Sequence, residues 1–432
     1  MNKSSAPASL PAKVELLGDW KVSISVKPAS GKEINDAVEI APPTGVKVEH
    51  EKHDGLPDFN PKAWGGWQKG VPLSGVRAQE CTTRFALDPG TLKVTSGNGA
   101  DAVVYEENKD YEAELEWGSV GRMPEGRIKA DQPVFISYEY FPQRIDAIIL
   151  TSENKIIVKQ GEPHIAVPNP PSLASGETRL SNIYIPCKIM KLEEENLYPV
   201  LETEYPEPPR QSPTVAERLL PETLGKLNGD GKLKILAWGD SVTDGSFLSN
   251  KDTERWQEQF VSRLKSRFPK AEIELVTEAW GGRNTSIYLA EPPGSIHNYQ
   301  EKVLNAKPDI IVMEFVNDAG LAKETVEMQY DRLLKDIRGI GAEWIIITPH
   351  YIRPDWMGLL GQREIDDDPR EYVKFLRKFT AENKIPLADA SLRYGRLWRQ
   401  GMPYNTLMMN NINHPDAGGM KIFADSLMAI FP

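Results

Sequence analysis

Cysteine is nearly absent from the chain: two in 432 residues, Cys81 and Cys187, both in the first half. That excludes a disulfide framework and any zinc site built from four thiolates, and leaves open either one bridge or two buried free thiols. Long apolar runs are missing too. No window approaches the roughly eighteen consecutive apolar residues of a membrane-spanning helix. Basic charge is in deficit, with 51 Lys and Arg against 62 Asp and Glu and a net charge of −11. No cluster of cations is present to track a phosphate backbone, so nucleic acid is not expected as a partner. The opening stretch MNKSSAPASLPAKVELLGDW has a lysine but no apolar core of a secretory leader. A chain trimmed of its leader reads the same way, and the compartment stays open. The six histidines show no metal-ligand spacing, and neither a metal nor a cofactor is expected.

At this length two domains are the default expectation, and the chain changes character near residue 200. Before it, runs rich in β-branched and aromatic residues alternate with polar turns: DWKVSISV, ADAVVYEE, YEAELEWG, PVFISYEYF, IDAIILT, KIIVKQG and SNIYIPCKIMKL. They predict an all-β, sandwich-like domain over residues 1–200. Residues 201–231 carry the proline-rich YPEPPRQSP and one short helical pattern, and read as a linker, because each proline fixes φ and disfavours helix in the residue before it.

From 232 to 432 the pattern alternates strand and helix. LKILAWG, EIELVTEAW, DIIVMEFV, EWIIITP and IPLADA are short and almost continuously apolar, which means strands buried on both faces. Five of them, each followed by a helical pattern, predict an α/β class fold: a three-layer α/β/α, doubly wound parallel sheet. Such sheets bind ligands at the carboxyl ends of their strands. The residues just beyond those ends are Gly239, Asp240 and Ser241, then Gly281 and Gly282, then Asn317 and Asp318, and, before the last helix, His414.

GDSVTDG, WGGRNTS, FVND and INHPDAGG, in that order over about two hundred residues, resemble the four blocks of the SGNH, or GDSL-like, hydrolase superfamily. The resemblance covers residues 232–432 and says nothing of the first half. It implies a serine hydrolase in which Ser241 attacks an ester carbonyl to form an acyl-enzyme and His414 is the general base. Ser241 N–H, Gly282 N–H and the Asn317 side-chain amide would then receive the oxyanion. Two positions depart from the pattern. The family usually has Asp three residues before its histidine, and Asn411 stands here; either Asp416, Asp389, Glu314 or a main-chain carbonyl orients His414 instead, or Ser241 and His414 work as a dyad. Phe315 occupies a position more often glycine, with an expected effect on packing alone.

Each residue also has a plainer reading. Ser241 alone could cap a helix, Gly281 and Gly282 could make a turn, and Asn317 and Asp318 are ordinary turn formers. His350 could line the pocket with Arg353 and Trp356, or sit in the core. His297 reads as a helix-surface residue. Trp64 and Trp67, in AWGGWQKG, could stack on a sugar face. A nucleotide-binding reading fails because GDSVTDG lacks both the G-x-G-x-x-G spacing and the lysine of a phosphate loop. The four blocks together lead to an expected serine esterase that removes small acyl groups, acetyl foremost, from an acylated carbohydrate. That substrate rests on analogy and on the lack of a long apolar lid segment. A lipase or thioesterase type of acyl hydrolase is the alternative within enzymes, and a catalytically inactive glycan-binding protein the alternative outside them, kept open by Asn411. Oligomeric state is left undetermined.

Overall fold

The computed structural model describes residues 10–28 and 31–432. The first nine residues of the segment read for a leader lie outside the described residues. The chain divides into two compact units. One comprises Met1–Glu204 with Gly361–Arg363 and Leu397–Ile412; the other comprises Tyr205–Leu360 with Glu364–Arg396 and Asn413–Pro432.

The first unit is built from antiparallel sheets. Ala12–Gly18, Lys21–Val26 and Ile34–Glu39 form a three-stranded meander, and Ile156–Lys159, Arg144–Leu150, Thr178–Ile185 and Leu197–Pro199 form a four-stranded sheet. In Lys21–Val26 every second residue is buried, the period expected of a strand with one face on the core. Val22, Ile24 and Val26 from that strand meet Ile148, Leu180 and Ile183 in one cluster. A second core gathers Leu73, Val94, Val120, Val134 and Ile136. Cys81 and Cys187 are buried and are not joined in a disulfide. One expected strand is not there: ADAVVYEE makes only two isolated bridges, Thr95 to Val104 and Glu107 to Tyr111, and Val103 and Val104 stay exposed.

The second unit carries the parallel sheet. Its strands are β1 (Lys232–Gly239), β2 (Glu272–Ala279), β3 (Ile310–Glu314), β4 (Glu343–Ile347) and β5 (Leu387–Ala388), in the spatial order β2-β1-β3-β4-β5. Helices α1 (Ser241–Asp244), α2 (Trp256–Arg267), α3 (Lys323–Gly339), α4 (Glu371–Asn383) and α5 (Ala417–Met428) lie along the chain between and after them. All five residues of β3 are buried. Side chains alternate along each strand, so Leu236 and Trp238, Ile311 and Met313, Trp344 and Ile346 share one face. There they join Tyr330, Leu333 and Ile337 of α3 and Leu376 and Phe379 of α4. Each such aliphatic or aromatic side chain contributes about 1.5–3 kcal/mol by leaving water. The stretch SIHNYQEKVLNA forms only one π-helical turn, Gln300–Leu304, while Thr285–Ala290 makes the helix after β2.

Strand register decides where the loops leave the sheet. Gly239, the last residue of β1, pairs with Ala279 of β2 on one side and Glu314 of β3 on the other. The loops bearing Ser241, Gly281 with Gly282, and Asn317 therefore start at one level.

Candidate active site

β1 hands over to α1 at Gly239, where a Cβ would overlap Thr243 Oγ1 and the carbonyl oxygen of Glu314, so no larger residue fits. Asp240 follows, fully buried, and its Oδ1 accepts from Val242 N at 3.0 Å, the N-cap of α1. Ser241 is thus the first residue of a four-residue helix rather than its cap. It is half-buried, and its hydroxyl has no hydrogen-bond partner among the described residues. α1 ends at Gly245, whose φ is +62°.

The turn after β2 comes alongside. A Cβ on Gly281 would lie 3.6 Å from the Cβ of Ser241. Gly282 has φ +71°, the left-handed region, and a Cβ there would meet nothing within 4 Å. Position 282 is therefore glycine for its backbone, not for space. Asn284 then caps the next helix by accepting from Ile287 N at 3.1 Å.

Asn317 and Asp318 tie these loops together. Asp240 Oδ2 accepts from Asn317 N at 3.0 Å and from Asn317 Nδ2 at 2.9 Å. The same Nδ2 donates to Arg283 O at 3.2 Å, so both side-chain N–H groups of Asn317 are engaged. Asp318 accepts from Thr285 N at 2.8 Å and from Tyr330 Oη at 3.0 Å. Burial pushes the Asp240 carboxyl up to about 6, against the N–H groups of Val242 and Asn317 and the charge of His414, which pull it down. It pushes Asp318 up to about 7. Glu314, also fully buried, is driven well above the carboxylate range by burial first and by Asp240 and Asp318 next.

His414 is half-buried, and its ring lies flat on Phe247, with centroids 4.3 Å apart and planes 4° from parallel. Phe247 stands six residues after Ser241. Two of the carboxylates considered as acceptors for His414 have other partners. Asp416 caps α5 by accepting from Gly419 N at 2.7 Å. Asp389 accepts from Arg377 Nε at 2.8 Å and Thr348 Oγ1 at 2.9 Å. Asn411, in the position where the family pattern has Asp, belongs to the β-rich unit, and its buried side chain is taken up there. Its Oδ1 accepts from Gln143 Nε2 at 2.7 Å, and its Nδ2 donates to Thr83 Oγ1 at 2.8 Å and Ile165 O at 3.3 Å.

The remaining marked residues fall into place. Phe315 is 1 % exposed and meets Trp238 and Tyr288 edge-on, a packing role. His297 is not on a helix surface: its ring stacks on Trp280 at 4.5 Å and its Nδ1 lies 2.7 Å from Glu278 Oε1. His350 is fully buried, which removes it from any surface that substrate could touch. Trp64 is 76 % exposed and edge-on to Trp67. Among the described residues no group of His, Cys, Asp and Glu is arranged to hold a metal ion, and no helix is long and apolar enough to cross a membrane.

Residues 237–422 match the model of the GDSL-like lipase/acylhydrolase family. They form a GDSL-like hydrolase domain. No curated protein matches the chain. Among solved structures, the chain is similar to a two-domain esterase, CEX, active on acetylated mannans, at 14 % identity and a TM-score of 0.39 over 48 % of this chain and 51 % of that one. It therefore spans about half the length of that esterase. It is also similar to a single-residue variant of Axe2, an acetyl xylan esterase from Geobacillus stearothermophilus (18 % identity, TM-score 0.37, 45 % and 93 % of the two chains), and to TesA (16 %, 0.34, 45 % and 95 %).

Proposed function

We propose that the GDSL-like domain is a serine esterase with Ser241 as nucleophile and His414 as general base. The observation that carries this reading is the shared level of Gly239, Ala279 and Glu314, from which the loops of Ser241, Gly282 and Asn317 depart, inside a domain of the acylhydrolase family. Ser241 Oγ attacks the ester carbonyl carbon while His414 takes its proton, and a tetrahedral oxyanion forms. The carbonyl re-forms, the C–O bond to the alcohol breaks, and His414 returns the proton to the leaving alcohol. Water, deprotonated by His414, then hydrolyses the acyl-enzyme by the reverse steps. Ser241 N–H and Gly282 N–H, which have no partner among the described residues, receive the oxyanion. Asn317 becomes a third donor by releasing Arg283 O, the longer of its two side-chain bonds.

The substrate in this reading is a small acyl ester, acetyl foremost, on a saccharide, for want of a long apolar lid segment in the sequence. One observation favours a longer acyl chain instead: Trp356 and Leu360, on the loop after β4, are 43 % and 108 % exposed. Intact-mass labelling with a fluorophosphonate tests the chemistry. One adduct per chain on wild type, lost in Ser241→Ala and His414→Ala, is expected; a folded wild type that takes no label overturns the esterase and leaves the glycan-binding alternative. p-Nitrophenyl esters of rising chain length separate the two substrates, with a steep loss of kcat/KM beyond propionate expected for the first.

A further inference from the structure

His350 stands on the loop after β4, with its side chain 0 % exposed, and its Nε2 is 2.9 Å from the main-chain oxygen of Asn413. A carbonyl oxygen only accepts, so the proton is on Nε2 and Nδ1 carries the lone pair. Nδ1 has no partner among the described residues. Burial foremost, with the charge of Arg370 next, pushes the imidazole down to about 3, which keeps the ring neutral and this tautomer in place near neutral pH.

Two aromatic rings pack against the imidazole. Phe423 of α5 meets it edge-on and Tyr394 at a tilt, both with centroids at 5.8 Å. Its main chain is clamped by Arg370, whose Nη2 donates to His350 O at 2.8 Å and Pro349 O at 3.2 Å. Arg370 is itself fixed by a two-point, buried pair with Asp368. A buried imidazole with one nitrogen unpartnered is an expensive way to fill apolar space, and a leucine would do that better. What the imidazole supplies is the N–H to Asn413.

That bond acts on the next residue. Asn413 C=O and His414 N belong to one planar peptide, so fixing the oxygen fixes the plane from which His414 hangs. Pro415 confines the His414 backbone to the extended region. Phe247 then restricts the ring. We propose that His350 is a positioning residue for His414: its Nε2–H holds the Asn413–His414 peptide so that the imidazole of His414 faces Ser241. An acid three residues before the histidine would do this in the family pattern, and Asn411 is committed to Gln143, Thr83 and Ile165 instead. The inference rests on the esterase reading above.

The test compares wild type, His350→Leu and His350→Gln, the last keeping an N–H donor, on p-nitrophenyl acetate over a range of pH. A group misplaced by about 1 Å costs on the order of 10²-fold in rate. The expected result for His350→Leu is kcat down ~10–100-fold with KM little changed and a displaced acid limb of the pH profile, partly rescued in His350→Gln. Unchanged kcat and pH profile per folded molecule in His350→Leu overturn the inference, even if its melting temperature falls. Ring ¹⁵N spectra of the wild type give a readout independent of turnover and of variant folding. They should show His350 as a neutral Nε2–H tautomer with a slowly exchanging proton, and a His350 that titrates near neutrality also overturns it. Absence of fluorophosphonate labelling in wild type sinks the esterase reading instead, and the two failures are thereby distinct.

Discussion

Asn317 donates twice to one oxygen of Asp240, from its main-chain nitrogen at 3.0 Å and from Nδ2 at 2.9 Å. The other Asp240 oxygen receives Val242 N, so one buried carboxyl joins the loop of Ser241 to the loop of Asn317. An amide at this position has a single oxygen, and its NH₂ must face N–H groups whichever way it turns. Asp240→Asn is therefore expected to lose about 1–3 kcal/mol of stability for each N–H left unpaired. On the proposed esterase reading its kcat/KM should fall by about 10²-fold, the cost of displacing a reacting group by about 1 Å. Urea unfolding and ester turnover check both; wild-type turnover in the variant would show that the loops are held by other means.

Asn411→Asp would restore the acid of the family pattern, yet the side chain at this position is already engaged within the β-rich unit. Nδ2 of Asn411 donates to Thr83 Oγ1 and to the carbonyl of Ile165, and a carboxylate would set negative charge against that carbonyl in a site only 7 % exposed. The expected outcome is a loss of about 1–3 kcal/mol or more, read as a lower melting temperature, and no gain in kcat. A gain in kcat would mean that an acid at 411 leaves those partners to serve His414.

Much of this arrangement was legible because parallel strands are written plainly. β3 is buried at every position and reads as an unbroken apolar run, and the residues directly after such a run sit at the sheet's edge. The antiparallel half is written less plainly. VKVEHEKH at Val46–His53 is a strand with no fully buried residue, and its charges hide it, whereas ADAVVYEE has the composition of a strand but pairs only through isolated bridges. Asn411 is visible as a departure in the sequence, but the partners that take it up, Gln143 and Thr83, lie 268 and 328 residues away and no local pattern names them. His350 is hidden for a related reason. A histidine after an apolar strand looks the same whether it meets solvent or an Asn413 carbonyl.

Gly282 makes a separable prediction, because its Cβ position is open while its φ of +71° is not suited to an L residue. Gly282→Ala should fold, at a cost of roughly 1–2 kcal/mol for the left-handed backbone. On the proposed reading, the backbone rotation that relieves this strain would swing the N–H away from the oxyanion, and loss of one such donor costs about 10²–10³ in kcat. The two effects are measured independently, by thermal unfolding and by turnover. A stable variant with full kcat would remove Gly282 N–H from the oxyanion site.

Asp318 sets a pH dependence whose sign can be worked out. An unfolded aspartate ionises near about 4, while burial keeps the proton on Asp318 up to about 7. Between those values the folded chain binds a proton that the unfolded chain has released. The stabilisation due to that proton is complete below about pH 4 and is lost as the pH rises through about 7. Asp318→Asn stays neutral throughout and can still accept from Thr285 N, so it lacks this dependence. The stability of wild type minus that of the variant, from urea unfolding at several values between about pH 4.5 and 7.5, should therefore shrink steadily with rising pH. Asp240 and Glu314 shift the same way but are present in both proteins, and they cancel in that difference unless their coupling to Asp318 is strong. A difference that is flat across the window, or grows with pH, would mean that Asp318 is ionised in the folded protein and that its hydrogen bonds from Thr285 and Tyr330 outweigh its burial.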